Sequence, residues 1–386
     1  MVPLQSSETY LPLSAPILSG SERQYLDEVL ASTQWAGGGP FTQRCERRLE
    51  ADLGIARALL TPSCTAALEM CALLADLAEG DEVIMPSFTF PSTANAVTLR
   101  GATPVFVDIA PDTLNIDPKQ IELAITPRTK AILIVDYAGV PCEIDVILGI
   151  AQRHSLAVIE DAAQAYLSEY RGRPAGSLAD MAAFSFHETK NFGCGEGGAF
   201  VTSSSALSSR ADIIRDKGTN RSAFRRGEVD KYTWVGVGSS YLPSEFQAAV
   251  LLAQLENARV ITAHRLAMWN RYQSALRPIA RRYGLRQPAV PNHVTHNAQI
   301  YWLIVPDIGC RDELLAFLQH AGIGAAFHYV PLHLSKEGRR AGRAADELVQ
   351  TIAAADRLLR LPLHGRINAA DVDRVVERVE DFFATR

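Results

Sequence analysis

The chemistry of this sequence turns on two side chains, Asp161 and Lys190. Asp161 closes the apolar run AVIED, and Lys190 stands five residues beyond Ser185, after the next such run and ahead of the small-residue stretch NFGCGEGG. In a sheet of parallel strands, ligand sites collect where the strands end at their carboxyl side. A carboxylate and an amine projecting there together are suited to holding pyridoxal phosphate. The lysine amine forms a Schiff base with the aldehyde and exchanges it with an amino donor. The carboxylate keeps the pyridine nitrogen protonated, so that the ring draws off electrons. Taken singly, each residue has a plainer reading: Asp161 as a helix cap after a strand, Lys190 as a surface amine in a loop.

A phosphorylated cofactor needs donors for its phosphate and an apolar face for its ring. Ser63-Cys64-Thr65 opens the helical stretch TAALEM, where backbone N–H groups and hydroxyls are placed to hold an anion. Ordinary capping by Ser63 or Thr65 is the alternative. Ser185 adds a second hydroxyl, and Phe90 in SFTFPSTAN offers an aromatic face unless it is simply core. His328 and His333, in HYVPLH, are not spaced as a metal pair and read either as substrate-binding or as loop histidines. The cluster GCGEGG leads into a strand rather than a helix, so a dinucleotide-binding fingerprint fails, and no G-x-x-x-x-G-K-[ST] loop occurs.

These residues need a scaffold. Between about residues 57 and 203, apolar runs alternate with helical stretches: RALL (57–60), EVIMP (82–86), TPVFVDI (103–109), KAILIVDY (130–137), LAVIED (156–161), MAAFSF (181–186) and GAFVT (198–202). The runs are continuous rather than alternating, as in strands buried on both faces of a largely parallel sheet. Helices are expected over 65–77, 117–124 and 145–154, the second begun by Asp117-Pro118 and the third capped by Asp145. Alternation of this kind predicts a doubly wound α/β domain. Beyond residue 243 the pattern changes. Ser244 opens one long helical stretch, followed by a strand at IYWLIV (300–305), a helix from Arg311 and a last helix from Asp371. Residues 1–250 are therefore expected to form a large domain and 251–386 a smaller α+β domain.

Composition narrows the classes. Of 386 residues, 47% are hydrophobic and 21% charged, which predicts a folded core rather than a disordered chain. With 38 Lys and Arg against 43 Asp and Glu the net charge is −5, which speaks against a binder of nucleic-acid phosphates. No run approaches the roughly 20 apolar residues of a membrane helix. MVPLQSSETYLPLSAP has neither the basic start nor the apolar run of a signal peptide, so a cytoplasmic protein is expected. The six cysteines form no C-x-x-C pair and stand near no histidine at zinc-ligand spacing; mostly buried thiols and no metal site are expected.

EDAAQA (160–165), FSFHETKN (184–191), PSCTAALEM (62–70), PSFTFPSTANA (86–96) and the glycines after Lys190 together resemble the DegT/DnrJ-type nucleotide-sugar aminotransferases, from about residue 10 onward. The resemblance implies a pyridoxal-phosphate enzyme of fold type I: a large, mostly parallel-sheet domain, a smaller C-terminal domain, and a homodimer with shared active sites. It implies that Lys190 is the Schiff-base lysine and proton shuttle, that Asp161 pairs with the pyridinium nitrogen, and that Gln164 bonds the ring hydroxyl. Cys64 (through its backbone N–H), Thr65 and Ser185 would hold the phosphate, and Phe90 would stack on the ring.

More narrowly, SFHETKN, RDKGTNRSAFRRGEVDKYTW (215–234), GSSYLPSEFQAA (238–249) and FHYVPLH (327–333) resemble the enzymes that make dTDP-4-amino-4,6-dideoxygalactose from dTDP-4-keto-6-deoxyglucose, with L-glutamate as donor. In many relatives an asparagine seven residues before the Gln-Ala-Ala stretch reaches the partner's cofactor phosphate. Ser240 takes that place here, as in the narrower group. The basic loop 219–226, with Arg221, reads either as a contact for the sugar diphosphate or as a solvated loop, and His328 with Tyr329 as substrate contacts. Relatives that act as sugar dehydratases carry a histidine in place of the lysine, so Lys190 implies transamination. A non-catalytic binder of cofactor and sugar nucleotide and an amino-acid lyase stay open, as do ketopentose and 3-keto substrates.

Overall fold

In the computed structural model, which describes residues 10–386, every apolar run expected to be a strand is one. Residues 1–9, the first part of the stretch considered for a signal peptide, lie outside the described residues. The strands are β1 (Arg57–Thr61), β2 (Glu82–Pro86), β3 (Thr103–Val107), β4 (Thr129–Val135), β5 (Ala157–Asp161), β6 (Glu169–Tyr170), β7 (Arg173–Pro174), β8 (Met181–Ser185), β9 (Gly198–Thr202), β10 (Val294–Thr295), β11 (Tyr301–Ile304), β12 (Arg343–Ala344) and β13 (Leu358–Leu361). The helices are α1 (Glu22–Ala31), α2 (Pro40–Leu53), α3 (Cys64–Leu74), α4 (Pro91–Thr98), α5 (Pro118–Ala124), α6 (Ile144–His154), α7 (Ser205–Arg215), α8 (Arg221–Arg225), α9 (Glu245–Glu256), α10 (Ala258–Tyr283), α11 (Ile308–His320), α12 (Lys336–Ala341), α13 (Val349–Arg357) and α14 (Ala369–Ala384).

Eight strands form the main sheet in the order β1-β9-β8-β5-β4-β2-β3-β12. Only β9 breaks the parallel arrangement, running antiparallel to β1 and β8. Successive strand residues face opposite sides, and both sides are covered. Met85, Leu133 and Ile159 pack with residues of α3, α4 and α7. Ile84, Ile132 and Val158 pack with α5 and α6, and Leu60, Phe184 and Val201 with α2 and α9. Coverage on two sides explains why the runs are continuous. Gly198 lets β9 start directly against α3: a Cβ there would stand 2.4 Å from the Ser63 carbonyl carbon and 2.5 Å from Cys64 N. A further core joins α10, α11 and α14 to the antiparallel pair β11-β13.

Several boundaries differ from expectation. Asp145 does not cap α6, which begins at Ile144; its carboxylate instead pairs with Arg173 at 2.5 Å. The stretch from Ser244 is two helices. Asn257 leaves helical geometry between α9 and α10 and turns its Nδ2 to the Ala253 carbonyl, a local bond that competes with the helix while the apolar pattern runs on. The division expected at residue 250 falls inside α9. The helix expected from Arg311 begins at Ile308, capped by Asp307, and the last begins at Ala369, capped by Asn368 in a capping box with Asp371. The strand β13 and the helices α1 and α2 were not expected. The backbone N–H groups of Phe41 and Thr42, at the start of α2, donate to the buried carboxylate of Glu245 from α9. No helix among the described residues is long and apolar enough to cross a membrane, and all six cysteines are free, four of them buried.

Glu82, at the start of the interior strand β2, ties the sheet to the late chain. Its buried carboxylate accepts from Arg343 at 2.8 Å, Arg128 at 2.6 Å and Thr126 at 2.7 Å. Arg343 foremost, against the opposing effect of burial, holds the carboxyl at about 2. That is below the unfolded value of about 4.3, so the contribution is present above that pH and is lost as pH falls toward the folded value. Glu82→Gln is expected to lower the unfolding free energy at neutral pH by about 2 kcal/mol. In urea titrations the gap to wild type should close as the pH is taken down through that window; a gap independent of pH would contradict the charge-based account.

Candidate active site

Asp161 and Lys190 come together. Asp161 ends β5, buried, with its Oδ2 accepting from the Thr93 hydroxyl of α4 at 2.8 Å and its Oδ1 from the Ala163 backbone N–H at 3.2 Å. Burial drives this carboxyl upward from its ordinary pKa; Thr93, Ala163 and the charge of Lys190 pull it back. Lys190 is half-buried, in the turn after β8. Burial moves its amine downward, Cys64 and Asp161 resist, and Arg360 adds to the lowering. Among the described residues its Nζ has no hydrogen-bond or ion-pair partner.

The start of α3 adjoins this pair. The Ser63 Oγ accepts from the Ala66 N–H at 3.1 Å, so Ser63 acts as a cap. The Thr65 hydroxyl bonds the Ser92 hydroxyl at 2.8 Å. The N–H groups of Cys64 and Thr65 open the helix and have no acceptor within it. Burial, with Asp161 adding, holds the Cys64 thiol well above its ordinary value, so it is a neutral group. Ser185 is half-buried and its Oγ accepts only a long bond, 3.4 Å, from the His187 N–H. Phe90 is not core: it precedes α4 and is 60% exposed, whereas Phe88 is buried.

Gln164 accepts from the Ala138 N–H at 2.7 Å and donates through Nε2 to the Tyr329 hydroxyl at 3.1 Å. The rings of His328 and Tyr329 stack at 4.1 Å, with Phe88 edge-on to Tyr329 at 5.4 Å. Burial, then the charges of Arg360 and Lys190, keep His328 far below its usual pKa, and burial keeps the Tyr137 phenol protonated. These two neutral groups, the Tyr137 hydroxyl and His328 Nε2, share a hydrogen bond at 2.5 Å. His333 has a different partner, bonding the Ser87 hydroxyl through Nδ1 at 2.7 Å.

Arg221 and Ser240 are not drawn into this group. The Arg221 guanidinium lies over the Tyr232 ring at 5.7 Å, and Ser240 is exposed and bridged to Asp216. The sequence reading also missed Thr93, Ser92, Tyr137 and Arg360. Tyr137 carried a usable signal, standing at the end of the run KAILIVDY where ligand sites collect; the other three carried none.

The family described as DegT/DnrJ/EryC1/StrS aminotransferase matches residues 16–380. The chain belongs to this family. It is 36% identical over 386 residues to the spore coat polysaccharide biosynthesis protein SpsC of Bacillus subtilis (strain 168), covering 98% of each chain. Among solved structures it is similar to DesV of S. venezuelae in complex with a ketimine intermediate (TM-score 0.89, 31% identity, 98% of this chain and 100% of that one). It is also similar to the PLP form of the putative sugar aminotransferase Spr1654 of Streptococcus pneumoniae (TM-score 0.89, 27% identity, 97% and 99%). This member of the family is thus an α/β, fold type I aminotransferase that uses pyridoxal phosphate. Its own geometry fits the cofactor. Lys190, beside the buried Asp161, has an amine without a partner among the described residues, Phe90 has an uncovered ring, and the start of α3 has two open N–H groups.

On the other side of β5, Glu160 meets Asp136. Glu160 accepts from the Gly176 N–H at 2.6 Å, and Asp136 Oδ1 from the Cys142 N–H at 2.9 Å. Asp136 Oδ2 is sealed from solvent with no fixed donor, and the Glu160 carboxyl is the group that can share a proton with it. Burial pushes both carboxyls up, Glu160 further because of the Asp136 charge. Both bind protons more tightly folded than unfolded. Their contribution is complete below about pH 4 and is lost as pH rises through the raised values. Asp136→Asn removes one of the two repelling charges. Its stability relative to wild type should therefore rise between about pH 5 and pH 8 in urea midpoints; a constant offset would mean that the pair shares no proton.

Proposed function

We propose that this aminotransferase moves the amino group of L-glutamate to C4 of a dTDP-4-keto-6-deoxyhexose, giving a dTDP-4-amino-4,6-dideoxy sugar. The observation that carries the reading is the unpartnered Lys190 amine beside the buried carboxylate of Asp161. The sugar class rests on the resemblance of segments 215–234, 238–249 and 327–333.

Bound here, pyridoxal phosphate supplies an aldehyde that takes up the amino group and a protonated ring that draws electrons from the reacting carbon. Lys190, its basicity lowered by burial, takes the proton from the amino carbon of the donor and returns one at C4 of the sugar. Asp161 holds the proton on the ring nitrogen, with Thr93 and Ala163 fixing its two oxygens. The N–H groups of Cys64 and Thr65, with the Ser185 hydroxyl, take the phosphate; Ser63 shapes the turn that aims them. Phe90 covers the ring. Gln164 keeps one Nε2 hydrogen for the ring hydroxyl, and Tyr137, His328 and Tyr329 form the substrate wall.

Arg221 and Ser240 belong to the second proposal, a homodimer in which each subunit completes the other's site. The loop between them exposes Tyr232, Trp234 (75%) and Val237 (68%), an apolar surface suited to burial against a second copy. We also place the division between the two domains at Asn257, where the helices break.

Two measurements test these proposals. Protein loaded with pyridoxal phosphate should lose its yellow absorbance with L-glutamate and regain it with dTDP-4-keto-6-deoxyglucose. Lys190→Ala should do neither while unfolding at the wild-type midpoint. Loss without recovery would reject this sugar, and a fully active Lys190→Ala would reject the mechanism. For assembly, light scattering should report a dimer, and Trp234→Glu should shift it to monomer with loss of activity; a monomer at full activity would refute shared sites.

A further inference from the structure

The turns that carry Gln164 and Lys190 lie beyond the reach of the sheet. Strand β5 pairs with β8 only from Ile159 to Asp161, opposite Met181 to Ala183. Past that last pair, no backbone bond among the described residues joins one turn to the other. Asn297, just ahead of β11 and only 1% exposed, does join them. Its Nδ2 donates to the Gln164 carbonyl at 2.8 Å and to the Tyr166 carbonyl at 2.9 Å. Its own backbone carbonyl accepts from the Nδ2 of Asn191, the residue after Lys190, at 2.8 Å. The proposed mechanism gives none of these bonds a role.

The join is held from several sides. The Asn297 amide donates to two carbonyls, which fixes the way it faces, and its Oδ1 is sealed from solvent. A Cβ on Gly139 would stand 2.0 Å from that oxygen, so a glycine is what lets the turn after β4 close on Asn297. That turn presents the Ala138 N–H to Gln164 Oε1 at 2.7 Å. Behind Asn297, Ala298 takes left-handed geometry (φ 53°), which an L-residue adopts only at a cost. Buried Arg265 of α10 holds it there. Its Nε donates to the Ala298 carbonyl at 3.1 Å, and its Nη2 to the carbonyls of Gln299 at 2.8 Å and Leu363 at 3.1 Å. A long helix of the late chain thus braces the point on which three turns of the main sheet converge. Reacting groups displaced by about 1 Å can lose about 100-fold in rate, so such a brace bears on the chemistry.

We propose that Asn297 is a positioning residue for the transfer, holding the Gln164 turn and the Lys190 turn in one register. The inference rests on the aminotransferase reading of the same site. In stopped-flow absorbance of the cofactor-loaded protein at saturating L-glutamate, Asn297→Ala should bleach about 10- to 100-fold more slowly, with KM within about twofold of wild type. Asn191→Ala cuts the other end of the join and should do the same. The double variant should be no slower than the slower single one, since one break already frees the turns. With Gln164 displaced from the ring hydroxyl, the pH at which the bound cofactor changes colour should rise by about one unit, the scale of one hydrogen bond. Val379→Ala, which opens the core around α14, should lower the urea midpoint and move neither the rate nor this pH. As a readout apart from turnover, amide hydrogen exchange in cofactor-free Asn297→Ala should quicken over residues 162–168 and 187–193 and not in β5 or β8. Wild-type bleaching in the Asn variants, additive losses in the double variant, or equal slowing in Val379→Ala would overturn the role of Asn297. Should Asn297→Ala fail to fold, Asn191→Ala decides alone, and a full rate there overturns it. Wild type that bleaches with no α-amino acid would reject the aminotransferase reading and the effect on rate together, with hydrogen exchange still judging the join.

Discussion

A carboxylate buried at the end of a strand, beside an amine whose basicity burial lowers, constrains everything around it. Asp161 faces the desolvation that raises any buried acid, and the fold answers with two fixed donors and one cation. Those donors come from separate places: Thr93 from the helix after β2, Ala163 from the turn after β5 itself. The next residue back, Glu160, obeys the same physics. It lies on the other face, meets Asp136 rather than a cation, and its carboxyl is pushed up further by that second acid. Burial thus raises both adjacent acids, and the pleat that sends them to different environments decides what opposes or adds to the rise.

The main sheet supplies only part of the site. The aromatic group of Phe88, Tyr137 and Tyr329 packs with Ile300, Trp302 and Ile304 of the late chain. At this seam the ends of β2 and β4 meet the β11-β13 pair. Tyr329 and His328 reach across it to Gln164 and Tyr137, so groups more than 160 residues apart in sequence share one wall. Arg360 enters by the same route, carried by β13. A change in the small sheet would therefore be felt at Lys190 without touching the strand that leads to it.

The apolar runs located all seven strands expected in the main sheet, because burial on both faces leaves a pattern that needs no partner to be read. Asp117 at the start of α5 was legible for a similar reason: a cap acts over two or three residues. Asp145 and Arg311 misled because a local signal cannot say which residue begins the helix when a charged neighbour offers a better use, as Arg173 does for Asp145.

For the site, residue type and spacing alone determined that a carboxylate ends one strand and a lysine follows the next, that a small-residue turn opens α3, and that an aromatic follows β2. Tertiary structure decided the rest. It made Ser63 a cap rather than an open hydroxyl, exposed Phe90 while burying Phe88, paired Thr93 with Asp161, and left Arg360 without a carboxylate. Each of these depends on which distant segment packs against which, and on the solvent excluded when it does. The long-range packing that sets the charge and reach of each group in the site has no local trace in the chain, unlike the burial of whole strands.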